Sequence, residues 1–274
     1  MLVPKCICSG AVRSFGNGRN MKITRAVVPS LFTVLNAFCG FLSIINAHQN
    51  RIELAAWFII LAGVFDSLDG IMARITRSSS QFGVELDSLS DVVSFGAAPS
   101  FLVYQAHLST LNSLGVIISS MPLVFGAIRL ARFNVQLVGF EKDYFKGLPI
   151  PMQAITVCAF LLQYSTEHYG LSGWTGGGLV ALVIALSLLM VSKVRYDTLQ
   201  KFSRRGIRAH PWRALAFSVG AVVVILSAGK YLFFVMVAFI GFGILRSLYE
   251  WIRSLGTKNE KEPEEESEIS SIDI

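Results

Sequence analysis

The sequence predicts an all-α protein, a polytopic bundle of about eight membrane-spanning helices. Three observations predict it. The 274-residue chain is 53% hydrophobic and only 15% charged, with a mean hydropathy of +0.57, more apolar than an ordinary soluble domain. Its apolar residues gather into runs long enough to cross a hydrocarbon layer about 30 Å thick. Its lysines and arginines segregate between those runs in the way that sets membrane topology.

Residues 1–25 form a basic arm, expected on the cytoplasmic side, with Lys5, Arg13, Arg19, Lys22 and Arg25. No apolar core of signal-peptide length lies within residues 1–20, and Met21 is expected to start the folded part. The membrane domain is expected over residues 26–253, with spans near 28–47, 52–73, 84–106, 113–138, 150–167, 176–193, 212–229 and 231–252. The last two are joined by Gly229-Lys230 alone and so make a tight hairpin. The stretch Trp174 to Gly178 reads as a flexible outer turn, and the basic loop from Lys193 to Arg213 as a segment lying on an anionic surface. Residues 254–274 are mostly Glu, Ser and Lys, too polar to bury a core, and read as an acidic disordered tail.

With the N-terminus in the cytoplasm, every one of the 24 lysines and arginines except Arg51 and Lys230 falls on the cytoplasmic side. The expected location is therefore a bacterial inner membrane, both termini inside. The basic residues sit between apolar runs and not on one soluble face, which argues against nucleic acid as the reason for the net charge of +6. Cys6 and Cys8 lie in the arm, and Cys39 and Cys158 in apolar runs, where small buried side chains are expected and no disulfide framework is. His48, His107 and His168 fall on the outer side and are excluded from the chemistry.

The chemistry is expected at four carboxylates. Asp66 and Asp69 end the second span, and Asp87 and Asp91 begin the third. Spacings of three and four put each pair on one helix face. A carboxylate at membrane depth is costly unless it faces a partner or a wet cavity. Four together would repel strongly in a low dielectric, and two divalent cations would cancel them. Oxygen-only ligands favour Mg²⁺, Mn²⁺ or Ca²⁺ over Zn²⁺. Gly70 and Ala73 leave a bare strip on the second span, and Gly83 does so on the third, where a flat base or a second helix can approach. Arg74 is a fork-shaped cation suited to phosphate oxygens. Phosphoryl transfer on a phosphate-bearing lipid or nucleotide fits this set. A cation-coupled transporter would also use intramembrane carboxylates, but no paired, interrupted helices occur in two corresponding halves.

The string D-x2-D-G-x2-A-R-x8-G-x3-D-x3-D, from Asp66 to Asp91, is matched at every fixed position. It resembles the signature of the CDP-alcohol phosphatidyltransferase family, membrane enzymes built around six helices, so that two spans here would be additional. The resemblance implies that Asp66, Asp69, Asp87 and Asp91 hold two divalent cations, Mg²⁺ or Mn²⁺. It makes Asp91 also the general base. It places Gly70, Ala73 and Gly83, with Asp66, around the cytidine of the donor, and Arg74 on its diphosphate. The flanking strings DSLSDVVSFGAAP (87–99), RLARFN (129–134) and FKGLPIP (145–151) resemble the phosphatidylserine synthase branch. The implied partners are CDP-diacylglycerol, L-serine and membrane lipids, with a homodimer as an available assembly.

Serine would bring a carboxylate needing a cation or N–H partner. Arg129, Arg132 and Lys146 stand at the right depth. The alternative is that they anchor headgroups or follow the topology rule. Glycerol 3-phosphate would also want cations and is the nearest rival acceptor, with inositol next. Asn134 and Gly147 are expected near the pocket without an assigned role.

Overall fold

The computed structural model describes residues 27–76, 81–138, 147–165, 171, 173–192 and 231–258. Among the described residues all regular structure is helical. The elements are α1 (Val27–His48), α2 (Ile52–Thr76), α3 (Gln81–Asp91), a π-helical segment (Val92–Ala97), α4 (Ala98–Ala106), a 3₁₀ turn (Leu108–Leu111), α5 (Asn112–Val138), α6 (Ile150–Tyr164), α7 (Gly173–Val191) and α8 (Leu232–Lys258). Among the described residues, five stretches are long and apolar enough to cross a membrane: Leu31–His48, Ile52–Ala73, Leu108–Val135, Gly173–Val191 and Leu232–Tyr249. Ile150–Tyr164 is apolar but shorter.

These helices follow the expected apolar runs closely, and the all-α membrane bundle is the observed fold. The expected span 212–229, its hairpin at Gly229-Lys230, the loop 193–213, the arm 1–25 and most of the tail lie outside the described residues. Two features differ from expectation. The span expected over 84–106 is helical from Gln81 to Ala106, but changes to π geometry over Val92–Ala97, directly after Asp91. Trp174–Gly178 is not a turn but the opening of α7. Gly176 is buried there, and a Cβ on it would strike the His107 ring. Gly176 therefore serves helix packing, not a change of direction.

α1 and α2 form the most extensive helix pair. Asn50 turns the chain between them with φ 59°, a conformation that asparagine tolerates. The Ser43 hydroxyl donates to the Ala55 carbonyl 2.8 Å away and ties the two helices. α5 packs on α7, α2 on α6, and α8 on α6. The buried core runs through Ile59, Phe95, Leu102, Leu148, Ile150, Leu161, Leu179 and Met190. Cys39 and Cys158 are free and buried within it, as expected. Leu31, Val34, Phe38, Phe41 and Ile45 are exposed at helical spacing on the outer face of α1, a face suited to lipid.

Two close approaches hold the interior in register. A Cβ at Gly40 would lie 2.5 Å from the Ser94 hydroxyl oxygen and 2.7 Å from its Cα, so α1 sits directly on the π segment only because Gly40 has no side chain. Gly147 leads into α6 with φ +95°, and a Cβ there would strike the Met190 carbonyl of α7. The next amide, Leu148 N–H, donates to the Leu189 carbonyl at 3.1 Å. Gly147 thus has a backbone role, joining the start of α6 to the end of α7.

Gly147→Ala should combine left-handed strain of about 1–2 kcal/mol with a backbone collision. A fall in melting temperature of several degrees is expected. Gly177→Ala, where a Cβ meets nothing within 4 Å, should leave it unchanged or raise it. Equal melting temperatures for the two variants would remove the role given to Gly147.

Candidate active site

The acidic cluster forms where α1, α2 and α3 meet. α2 carries Asp66 and Asp69 near its C-terminal end, and α3 carries Asp87 and Asp91. Asp66, Asp69 and Asp87 each offer an oxygen within 4.8 Å of the others. Asp69 is buried, and Asp66 and Asp87 are half-buried. One oxygen of Asp87 is buried with no hydrogen-bond partner. Three converging carboxylates, one with an unmet acceptor, fit a hard divalent cation. Asp91 stands outside this triplet, within electrostatic reach of Asp66, Asp87 and Asp69. Its Oδ1 accepts a hydrogen bond from Asn36 Nδ2 at 3.3 Å.

The carboxylates are aimed by residues of α1 that sequence reasoning passed over. The Thr33 hydroxyl donates to Asp69 Oδ2 at 3.1 Å. Asn36, one turn further, reaches Asp91. Its own main-chain carbonyl accepts from the Ser94 hydroxyl at 2.8 Å, which fixes α1 against the π segment where Gly40 permits contact. Thr33 is 4% exposed and Asn36 0%. Both look like tolerated polar residues in an apolar run. The available signal was their spacing with Gly40, which puts all three on one face.

α5 supports the other flank. Asn134 Nδ2 donates to Ser88 Oγ at 3.0 Å, and the Ser88 hydroxyl donates to the Val84 carbonyl at 3.1 Å. Ser88 adjoins Asp87, so Asn134 braces the helix that presents the carboxylate. Arg129 projects from α5 within electrostatic reach of Asp91 and Arg132, and its Nε is buried without a hydrogen-bond partner. Earlier in α5, Pro122 has no amide to donate, and the Leu123 N–H donates to Ser100 Oγ on α4 at 3.1 Å.

Gly70 and Ala73 follow the α2 aspartates on the same helical face, and both are half-buried, as is Gly83 on α3. Arg74 lies on α2, but its side chain is outside the described residues, as is all of Lys146. Arg132 is half-buried on α5, three residues from Arg129.

A family model described as CDP-alcohol phosphatidyltransferase matches residues 26–192. The chain is 32% identical to the CDP-diacylglycerol–serine O-phosphatidyltransferase of Helicobacter pylori (strain ATCC 700392 / 26695), over 84% of this chain and 95% of that protein. It is 40% identical to the archaetidylserine synthase of Methanothermobacter thermautotrophicus, over 64% of this chain and 72% of that protein. It is 32% identical to the CDP-diacylglycerol–serine O-phosphatidyltransferase of Bacillus subtilis (strain 168), over 68% of this chain and 98% of that protein. The span of the family model covers the helices that build the carboxylate cluster.

Proposed function

The chain belongs to the CDP-alcohol phosphatidyltransferase family, and from that premise we propose that it transfers the phosphatidyl group of CDP-diacylglycerol to the hydroxyl of L-serine, forming phosphatidylserine and releasing CMP. The observation that carries this is the match to a relative with that named activity along 95% of its length, together with the carboxylate triplet inside the region that the family model matches.

Asp66, Asp69 and Asp87 are the residues to hold two divalent cations, Mg²⁺ or Mn²⁺. When bound, such cations offset charge on the phosphoryl oxygens and on the departing CMP. Gly70, Ala73 and Gly83 leave room for the cytidine, and Arg74 takes a diphosphate oxygen. Asp91 accepts the proton of the serine hydroxyl. The serine oxygen then bonds to the phosphorus carrying diacylglycerol, and the bond from that phosphorus to the CMP oxygen breaks. Asn36 holds Asp91 in place for this transfer, and holding both substrates in one cavity supplies much of the acceleration. The serine carboxylate is assigned to Arg129, with Arg132 and Lys146 as the further candidates. The site opens to the inner leaflet of a bacterial inner membrane, supported by the lysine and arginine distribution.

The direct test is purified protein with CDP-diacylglycerol and either serine, glycerol 3-phosphate or inositol, each with and without Mg²⁺ or Mn²⁺. Incorporation of serine alone, with stoichiometric CMP, is the expected result. Incorporation of glycerol 3-phosphate in preference to serine would move the activity to the rival acceptor, and ion flux without CMP would remove the enzyme reading. Within the same assay, Arg129→Ala should raise the serine KM about tenfold or more, the range of a charge-assisted hydrogen bond. The KM for CDP-diacylglycerol should stay within about twofold. Equal increases in both would return Arg129 to a headgroup-anchoring role.

A further inference from the structure

Asn36 does more than its contact with Asp91 requires. The side chain is fully buried, and its Nδ2 donates to Asp91 Oδ1. Its Oδ1, also buried, has no hydrogen-bond partner. An unmet acceptor in a fully enclosed amide forfeits its solvation with no return. The donors packed nearby are already committed. The Thr33 hydroxyl goes to Asp69, and the Ser94 hydroxyl goes to the main-chain oxygen of Asn36. The amide cannot turn away, because Asp91 holds its nitrogen and the α1–π contact at Gly40 holds its backbone.

A second unmet group flanks the same carboxylate. Arg129 Nε is buried and unpartnered, and Arg129 is in electrostatic reach of Asp91. Asp91 thus has an idle acceptor on one neighbour and an idle cationic donor on another. An amino-acid zwitterion with a side-chain hydroxyl presents the complement: an ammonium and a carboxylate on one carbon, and the hydroxyl on the next. Glycerol 3-phosphate and inositol carry no ammonium.

Resting on the serine reading above, we propose that Asn36 is a substrate-binding residue whose Oδ1 accepts a hydrogen bond from the α-ammonium of the acceptor, so that α1 selects an amino acid over other alcohols. One side chain thereby orients the base through its nitrogen and reads the acceptor through its oxygen.

The test compares L-serine with 3-hydroxypropionate, which is serine without the ammonium, as acceptors for the full-length enzyme with CDP-diacylglycerol and Mn²⁺. Wild type should favour serine in kcat/KM by at least about thirtyfold, the range of a hydrogen bond to a charged group. Asn36→Leu loses the Asp91 contact as well, which slows both acceptors alike. Loss of Oδ1 adds a penalty for serine only, so the preference should fall to within about threefold. Asn36→Ala, which adds no methyl groups against Ser94, is run alongside. A thirtyfold preference that persists in either folded variant overturns the proposal, since a purely structural Asn36 would not move the ratio.

Acceptor binding by wild type, titrated calorimetrically with CMP and Mn²⁺ present, needs no variant. Serine should bind at least tenfold more tightly than 3-hydroxypropionate, and equal affinities overturn the proposal. Wild type that incorporates no serine at all refutes the proposed function itself. Serine incorporation with no loss on removing the ammonium refutes the role of Asn36 alone.

Discussion

Asp91→Asn is expected to lower turnover between about a hundredfold and ten-thousandfold, the range over which a positioned general base contributes, while leaving the donor and metal sites in place. The expectation follows from where Asp91 stands. Asp66, Asp69 and Asp87 bring oxygens within 4.8 Å of one another without it, and Asp91 is buried at 9% exposure with an amide donor on one oxygen. A carboxylate outside the triplet is expected to serve proton transfer more than ligation. The asparagine has nearly the same shape, so packing against Asn36 and the π segment should survive. Two measurements separate the roles. Steady-state phosphatidylserine formation should collapse, whereas Mn²⁺ binding followed by its paramagnetic signal should stay within about threefold of wild type. Asp69→Asn, which alters the triplet itself, should lose both. Near-normal product formation by Asp91→Asn would end the base assignment. Loss of Mn²⁺ in parallel with turnover would make Asp91 a ligand first.

The arrangement of the four aspartates was only half legible in the sequence. The spacing of Asp66 with Asp69 and of Asp87 with Asp91 placed each pair on one face, because three- and four-residue separations share a helix surface whatever the surrounding fold. The apolar runs located the helices for a similar reason, since length and hydropathy decide membrane crossing almost alone. The separation of Asp91 from the other three depends on how α3 meets α1 and passes into the π segment at Val92, and local composition carries no such information. Thr33 and Asn36 escaped notice because a lone polar residue in an apolar span is ordinarily satisfied by its own backbone or a neighbour. Their hydrogen bonds span 36 and 55 residues and emerge only from packing. Gly147 was noticed and left without a role, because its φ and its approach to Met190 belong to the tertiary fold. Trp174–Gly178 differs for the opposite reason: three glycines imitate a turn, yet here they lie in the opening of α7, where Gly176 brings the backbone against His107.

Removal of divalent cations should abolish activity and also loosen the fold around the site, and both effects should reverse on adding Mg²⁺ or Mn²⁺. The first part comes from the proposed chemistry. The second comes from electrostatics. Carboxylate oxygens within 4.8 Å of one another repel by roughly 3 kcal/mol or more per ionised pair at an effective dielectric of about 20. Helices α2 and α3 must be held together against that repulsion. Hydrogen bonds from Thr33 and Asn36 relieve part of it at Asp69 and Asp91, but among the described residues one buried oxygen of Asp87 has no donor. A cation binding only the folded site at a hundred times its dissociation constant would add about 2.7 kcal/mol of stability, a rise of several degrees in melting temperature. Chelated protein should therefore melt earlier than protein in Mg²⁺ or Mn²⁺. In Asp87→Asn that difference should shrink, because the substitution lowers both the repulsion and the affinity. Full activity in a metal-free preparation would exclude cation-assisted transfer. Activity lost on chelation with no change in melting temperature would mean that the cation arrives with the CDP-linked donor and is not held by the aspartates beforehand.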